Sequence, residues 1–147
     1  MAWRRLYITV EGPTERAFLN LALIDHLAAF NLDVKPRVTM TSREHNKRGG
    51  VNHYKTLRKD VSLLLSEDRS SDAAFSTMLD LYALPRSFPG WDDANRQNSW
   101  RERVSVLEEA FKDDLGDSRF IPYIQPHEFE ALLYCDLNEL RKRIDDS

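Results

Sequence analysis

Two acids four residues apart, Glu11 and Glu15, bracket a Gly12-Pro13-Thr14 turn directly after the apolar run Leu6-Tyr7-Ile8-Thr9-Val10. A β-type run that stops at a carboxylate, turns at Gly-Pro and enters a helix is a strand–turn–helix junction. Open α/β sheets present functional groups at such junctions. Carboxylates there, in place of a glycine-rich phosphate cradle, suit a hard divalent cation, and a hard cation suits phosphoryl chemistry. Asp80 repeats the theme by closing the run Ala73–Leu79, and Glu128 and Glu130 follow the run Phe120–Gln125. If these runs are parallel strands, their carboxyl ends share one rim, and acids from three strand ends meet there. Mg²⁺ or Mn²⁺ needs only one or two such carboxylates, with water and phosphate oxygens supplying the rest. His127 is a further candidate ligand.

Each of these residues also has a plainer reading. Glu15, in the first turn of a helix, complements the helix dipole. Asp80 can cap the loop that runs from Tyr82 to Gly90, and His127 can be a hydrogen-bonded structural residue. Glu128 and Glu130, two apart, cannot aim at one point from a single helix, whereas His127 and Glu130, three apart, share a face. No His/Cys spacing matches a zinc site. The single cysteine, Cys135, excludes an internal disulfide and fits a reducing cytoplasm; on an apolar helix it reads as a packed thiol.

A polyanionic substrate would need cations. The net charge of −3 argues against a generally basic nucleic-acid binder. The distribution is uneven, however: eight Lys or Arg stand against one acid, Glu44, between Lys35 and Lys59. Arg43, Lys47 and Arg48 lie in a loop ending at Gly49-Gly50, and Lys55, Arg58 and Lys59 on the outer face of the helix that follows. Both groups can neutralise phosphates, and a solvated loop is the equal alternative. Tyr82, Phe88 and Trp91 can stack on bases or simply pack their loop onto the body.

The elements that must position these residues alternate along the chain. Strands are expected at Arg5–Val10, Val34–Met40, Ala73–Leu79 and Phe120–Gln125, the last at an edge or bulged because of Pro122. A first helix starts near Thr14, with Ala17, Leu21, Ile24 and Ala28 as its apolar face. A second turns Tyr54, Leu57, Val61, Leu64 and Leu65 inward. A third spans Trp100–Leu115 with Val104, Leu107, Phe111 and Leu115 on one side, and a last helical stretch begins near His127. This rhythm predicts an α/β fold, a four-stranded, mainly parallel sheet with helices on both faces. At 147 residues the chain has the size of one domain, and no apolar run is long enough to span a bilayer. It stops within a charged helical segment, so residues 1–147 are expected to be a single domain truncated at its C-terminus.

The motifs Val10-Glu11-Gly12-Pro13-Thr14-Glu15, Leu79-Asp80-Leu81-Tyr82-Ala83-Leu84-Pro85 and His127-Glu128-Phe129-Glu130-Ala131-Leu132-Leu133 together resemble an uncharacterised bacterial family related to Toprim domains. Members of that family are often met beside ATPase genes in phage-defence neighbourhoods. The resemblance implies a compact Toprim/Rossmann-like parallel sheet and an acidic Mg²⁺ site, as in the nuclease half of overcoming-lysogenization-defect proteins. Glu11 then matches the Toprim glutamate, Glu15 the second acid of a Glu-Gly-x-x-Glu form, and Asp80 the first aspartate of Asp-x-Asp. Tyr82 stands in place of the second aspartate, and Glu128 or Glu130 is expected to supply the missing ligand.

The implied function is a divalent-metal-dependent nuclease acting in anti-phage defence, with DNA ahead of RNA as substrate. Metal falls to Glu11, Asp80 and Glu130, and Glu15 and Glu128 complete the catalytic set. A cytoplasmic location, no membrane partner, a separately encoded ATPase partner and a homo-oligomer are the accompanying expectations. The alternative is a catalytically weak or inactive binding subunit for that ATPase.

Overall fold

The computed structural model describes residues 4–39, 54–128 and 131–132. Strand β1 (Arg4–Val10) leads through Glu11-Gly12 into a helix of three consecutive segments: α1 (Pro13–Phe18), a π-helical turn (Leu19–Leu23) and α2 (Ile24–Ala28). Strand β2 (Leu32–Val38) and helix α3 (Tyr54–Glu67) follow, then β3 (Ala73–Asp80) and a 3₁₀ turn (Leu81–Ala83). Helices α4 (Trp91–Asn95) and α5 (Trp100–Leu115) precede two very short strands, β4 (Phe120–Ile121) and β5 (Ile124–Gln125). The described pairings are all parallel, in the order β2-β1-β3-β4, with β5 continuing alongside β3. The result is an α/β, Rossmann-like sheet.

Strand alternation divides the apolar residues between two cores. Tyr7, Phe75, Leu79, Phe120 and Ile124 face α3 and α5, where they pack with Leu57, Val61, Leu64, Leu65, Leu107 and Phe111. Leu6, Ile8, Val10, Val34 and Met78 face the opposite way, onto Phe18, Leu19, Leu23 and Leu27 of the first helix. Helices therefore cover both faces, as the alternating pattern predicts. Helix α5 has firm ends. Ser99 and Glu102 form a reciprocal capping box at its start, and Gly116 closes it at φ 65°, a left-handed conformation that glycine adopts freely.

Pro122 leaves a gap between β4 and β5, but the register against β3 is the same on either side. Proline offers no N–H to the ladder. The Thr77 hydroxyl fills the gap: it accepts from the Tyr123 N–H at 3.1 Å and donates to the Tyr123 carbonyl at 3.0 Å. The strand is thus an edge with an interruption, not a bulge.

Two expectations are corrected. Leu21, assigned to the buried face of the first helix, is 68% exposed, and Ala17 is exposed too. The wide π turn shifts the phase of the side chains, so Leu19 is buried and Leu23 and Leu27 take the inward positions. The helix expected from His127 is not formed at its start. Residues 126–128 are irregular, and the Ala131 N–H closes a short turn onto the Glu128 carbonyl at 2.9 Å.

Candidate functional site

The first turn of chemistry lies where β1 and β3 end. Glu11 follows Val10 directly and is only 8% exposed; Asp80, the last residue of the neighbouring β3, is 7% exposed. Apolar packing beneath the rim and parallel register bring the two together, and the Asp80 backbone N–H donates to Glu11 Oε1 at 3.2 Å. Burial pushes the Glu11 carboxyl up to about 7. That hydrogen bond opposes the rise, while the negative charges of Asp80 and Glu15 add to it. Among the described residues, the charged groups acting on Glu11 are acids, with no lysine or arginine to offset them.

Glu15 reaches the same place from the first helical turn. Its Oε2 is shielded from solvent and has no hydrogen-bond partner among the described residues. Gly12 makes room for it: a Cβ built on Gly12 would stand 3.1 Å from Glu15 Oε2. Glu11, Glu15 and Asp80 thus share one acidic corner of the sheet. They are drawn into electrostatic range but not onto a common point. Among the described residues, no group of three or more His, Cys, Asp or Glu side chains is arranged to hold an ion.

The other predicted site residues lie elsewhere. Tyr82 is 67% exposed in the 3₁₀ turn beyond Asp80, outside the buried corner. His127 is exposed, and its ring packs against Trp100 at the start of α5, 5.8 Å between centroids. Glu128 is exposed as well. Glu130, Arg43, Lys47 and Arg48 lie outside the described residues, as does Cys135. Lys55, Arg58 and Lys59 line a shallow surface hollow on the outer side of α3 with Thr56, Ser62 and Leu63. Arg58 is already engaged there, its Nε 2.7 Å from Asp114 Oδ2, so its charge is partly spent within the fold.

The rim also holds two buried polar residues that the sequence reading passed over. Thr39 follows β2, donating its N–H to the Val10 carbonyl at 3.0 Å, and Gln125 ends β5 in register with Asp80. Both are buried. Thr39, Glu11, Asp80 and Gln125 thus form one buried polar row across the carboxyl ends of four neighbouring strands. The signal for Thr39 and Gln125 was available as polar residues ending apolar strands. A search for acids alone misses them.

No curated protein and no solved structure matches the chain. The family described as a domain of unknown function (DUF4276) matches residues 10–147, and the chain belongs to that family.

Proposed function

We propose that this chain is a divalent-metal-dependent nuclease of Toprim type, hydrolysing phosphodiesters with Mg²⁺ or Mn²⁺. The observation that carries the reading is the pair of buried carboxyls, Glu11 and Asp80, on adjacent strand ends, where Asp80 and Glu15 both raise the cost of charging Glu11. Buried carboxylates of like charge are unfavourable unless a cation joins them or one of them takes up a proton. The shielded, unpartnered Glu15 Oε2 fits the same conclusion. Glu11 and Asp80 would hold the ion, with Glu130 retained from the sequence as a further ligand and Glu15 completing the catalytic set. When bound, the ion supplies Lewis-acid polarisation of a phosphoryl oxygen and makes water a better nucleophile.

The protein's own groups do the rest. The Asp80 N–H donates to Glu11 Oε1, and the Glu11 carboxyl would ligate the ion or, without it, hold a proton up to near neutral pH. Lys55 and Lys59, with Arg43, Lys47 and Arg48 from the sequence, are the cations proposed to meet the phosphate backbone, with DNA ahead of RNA. The proposed cytoplasmic setting rests on the single cysteine, and the role in phage defence on the Toprim-like resemblance.

A second reading is a binding subunit for a separately encoded ATPase. It is favoured by one observation: Tyr82, at the position of the second Toprim aspartate, is exposed and carries no carboxylate. Cleavage of DNA and RNA oligonucleotides with Mg²⁺ or Mn²⁺ separates the two. Wild-type cleavage that falls at least about 100-fold in Glu11→Gln and Asp80→Asn proteins is expected, on the scale of losing a group that stabilises the transition state. Full cleavage by both variants would overturn the assignment, and inert wild-type protein would favour the binding subunit.

A further inference from the structure

Gln125, like Thr39, is a residue of the buried rim whose side chain the metal reading leaves without a task, and it is mounted for one. It is 4% exposed. Its pairing with Asp80 sends both side chains off the same face of the sheet, as neighbours across the strand boundary. A buried carboxamide needs partners at both ends. The Tyr123 hydroxyl donates to Gln125 Oε1 at 2.5 Å, which engages the carbonyl end and leaves the two donors of the NH₂ end outside that bond.

The mount is firm. Tyr123 is held at both its N–H and its carbonyl by the Thr77 hydroxyl, and the next residue, Ile124, gives its N–H to Glu108 Oε1 at 2.8 Å. The two hydrogen bonds at Tyr123 fix the backbone beside the proline gap. They place the phenol where it sets the orientation of the amide.

We propose that Gln125 is a catalytic residue of the metal-dependent nuclease, its Nε2 donating to a non-bridging oxygen of the scissile phosphate, and that Tyr123 is its positioning residue. The proposal rests on the metal reading of Glu11 and Asp80. A phosphate approaching this rim meets acids, so it needs the cation and donors that carry no negative charge. An amide N–H answers that need, and it cannot compete with the carboxylates as a ligand because it has no lone pair to offer. Its hydrogen bond strengthens as charge builds on the equatorial phosphoryl oxygens, which makes it a contribution to the rate more than to binding.

The test uses the full chain with Mn²⁺ and a single-stranded DNA oligonucleotide, comparing wild type with Gln125→Leu and Tyr123→Phe. Three quantities are read: the Mn²⁺-induced rise in melting temperature, kcat and KM. Gln125→Leu is expected to keep the Mn²⁺ response and a KM close to wild type while kcat falls about 10²–10³-fold, the scale of a lost oxyanion donor. Tyr123→Phe is expected to lose kcat in the same direction by a smaller factor.

A folded Gln125→Leu protein that responds to Mn²⁺ and turns over at the wild-type rate overturns the proposal and leaves the metal reading standing. Should Gln125→Leu fail to fold, Tyr123→Phe decides, and an unchanged kcat there overturns the proposal. Wild-type protein with neither Mn²⁺ response nor cleavage overturns the metal reading, and the role of Gln125 with it.

Discussion

Replacing Glu11 by glutamine removes a charge that the folded protein solvates poorly, and the effect on stability has a sign and a pH window. The folded-state carboxyl titrates at about 7 against an ordinary value of 4.5, chiefly because it is buried. Between those values the folded protein holds a proton that the unfolded chain releases, so stability falls as pH rises through the window. The loss is absent below the unfolded value and complete above the folded one. At 1.36 kcal/mol per unit, the rise is worth about 3 kcal/mol, an order-of-magnitude figure. Glutamine keeps the shape and can still accept the Asp80 N–H, but carries no charge.

In EDTA at pH 8, the Glu11→Gln protein should therefore be more stable than wild type by about 3 kcal/mol, or about 6–12 °C in melting temperature for a chain of this size. At pH 5 the advantage should shrink below about 1 kcal/mol, since wild-type Glu11 is then protonated in the fold. Urea and thermal unfolding at the two pH values measure this directly. An equal offset at both values, or a loss of stability at pH 8, would refute the claim that a buried, uncompensated carboxylate sits at this strand end.

Three further outcomes bear on the same structure. Millimolar Mn²⁺ at pH 8 should raise the melting temperature of wild type and raise it less in Glu11→Gln and Asp80→Asn proteins; equal shifts in all three would place the ion elsewhere. At the opposite rim, hydrogen bonds from Ser70 and Tyr7, with the charge of Arg5, hold Asp68 down at about 2 despite partial desolvation. Its contribution is present above the ordinary aspartate range and fades as pH falls toward 2. The destabilisation caused by Asp68→Asn should accordingly be largest near pH 7 and narrow below about pH 4 in a series of melting curves. Gly90→Ala should cost about 1–3 kcal/mol in urea unfolding, because Gly90 has φ 75° and an added Cβ would lie 2.8 Å from Ala110 Cβ. An alanine protein as stable as wild type would contradict that packing of α4 on α5.

The sheet was legible because its strands carry strong period-two or continuous apolar patterns, and α3 and α5 because theirs recur at helical spacing. Val61, Leu64, Leu107 and Phe111 are buried where those patterns put them. The first helix was harder. Its apolar residues Phe18, Leu19, Leu23, Ile24 and Leu27 fit a face only once a π turn is inserted, and nothing in residue type announces that turn. Pro122 was read as a sign of an edge or a bulge, and among the described residues it lies on an edge. The repair of its ladder by Thr77, 45 positions away in register, belongs to tertiary structure alone.

The acidic rim shows the same division between what type reveals and what register decides. Glu11 and Asp80 announce themselves because a charged residue ending an apolar strand is unusual, and both prove buried. Glu128 is equally acidic, yet three residues beyond the end of β5 it is exposed. In its place β5 brings Gln125 to the level of Asp80. Charge alone therefore does not separate the buried candidates from the exposed one, whereas position at or directly after the last paired residue of a strand does. If the proposed chemistry holds, the rim is better understood as a row with two functions. Its acids would bind the cation, and its neutral amide would meet the phosphate that the acids repel.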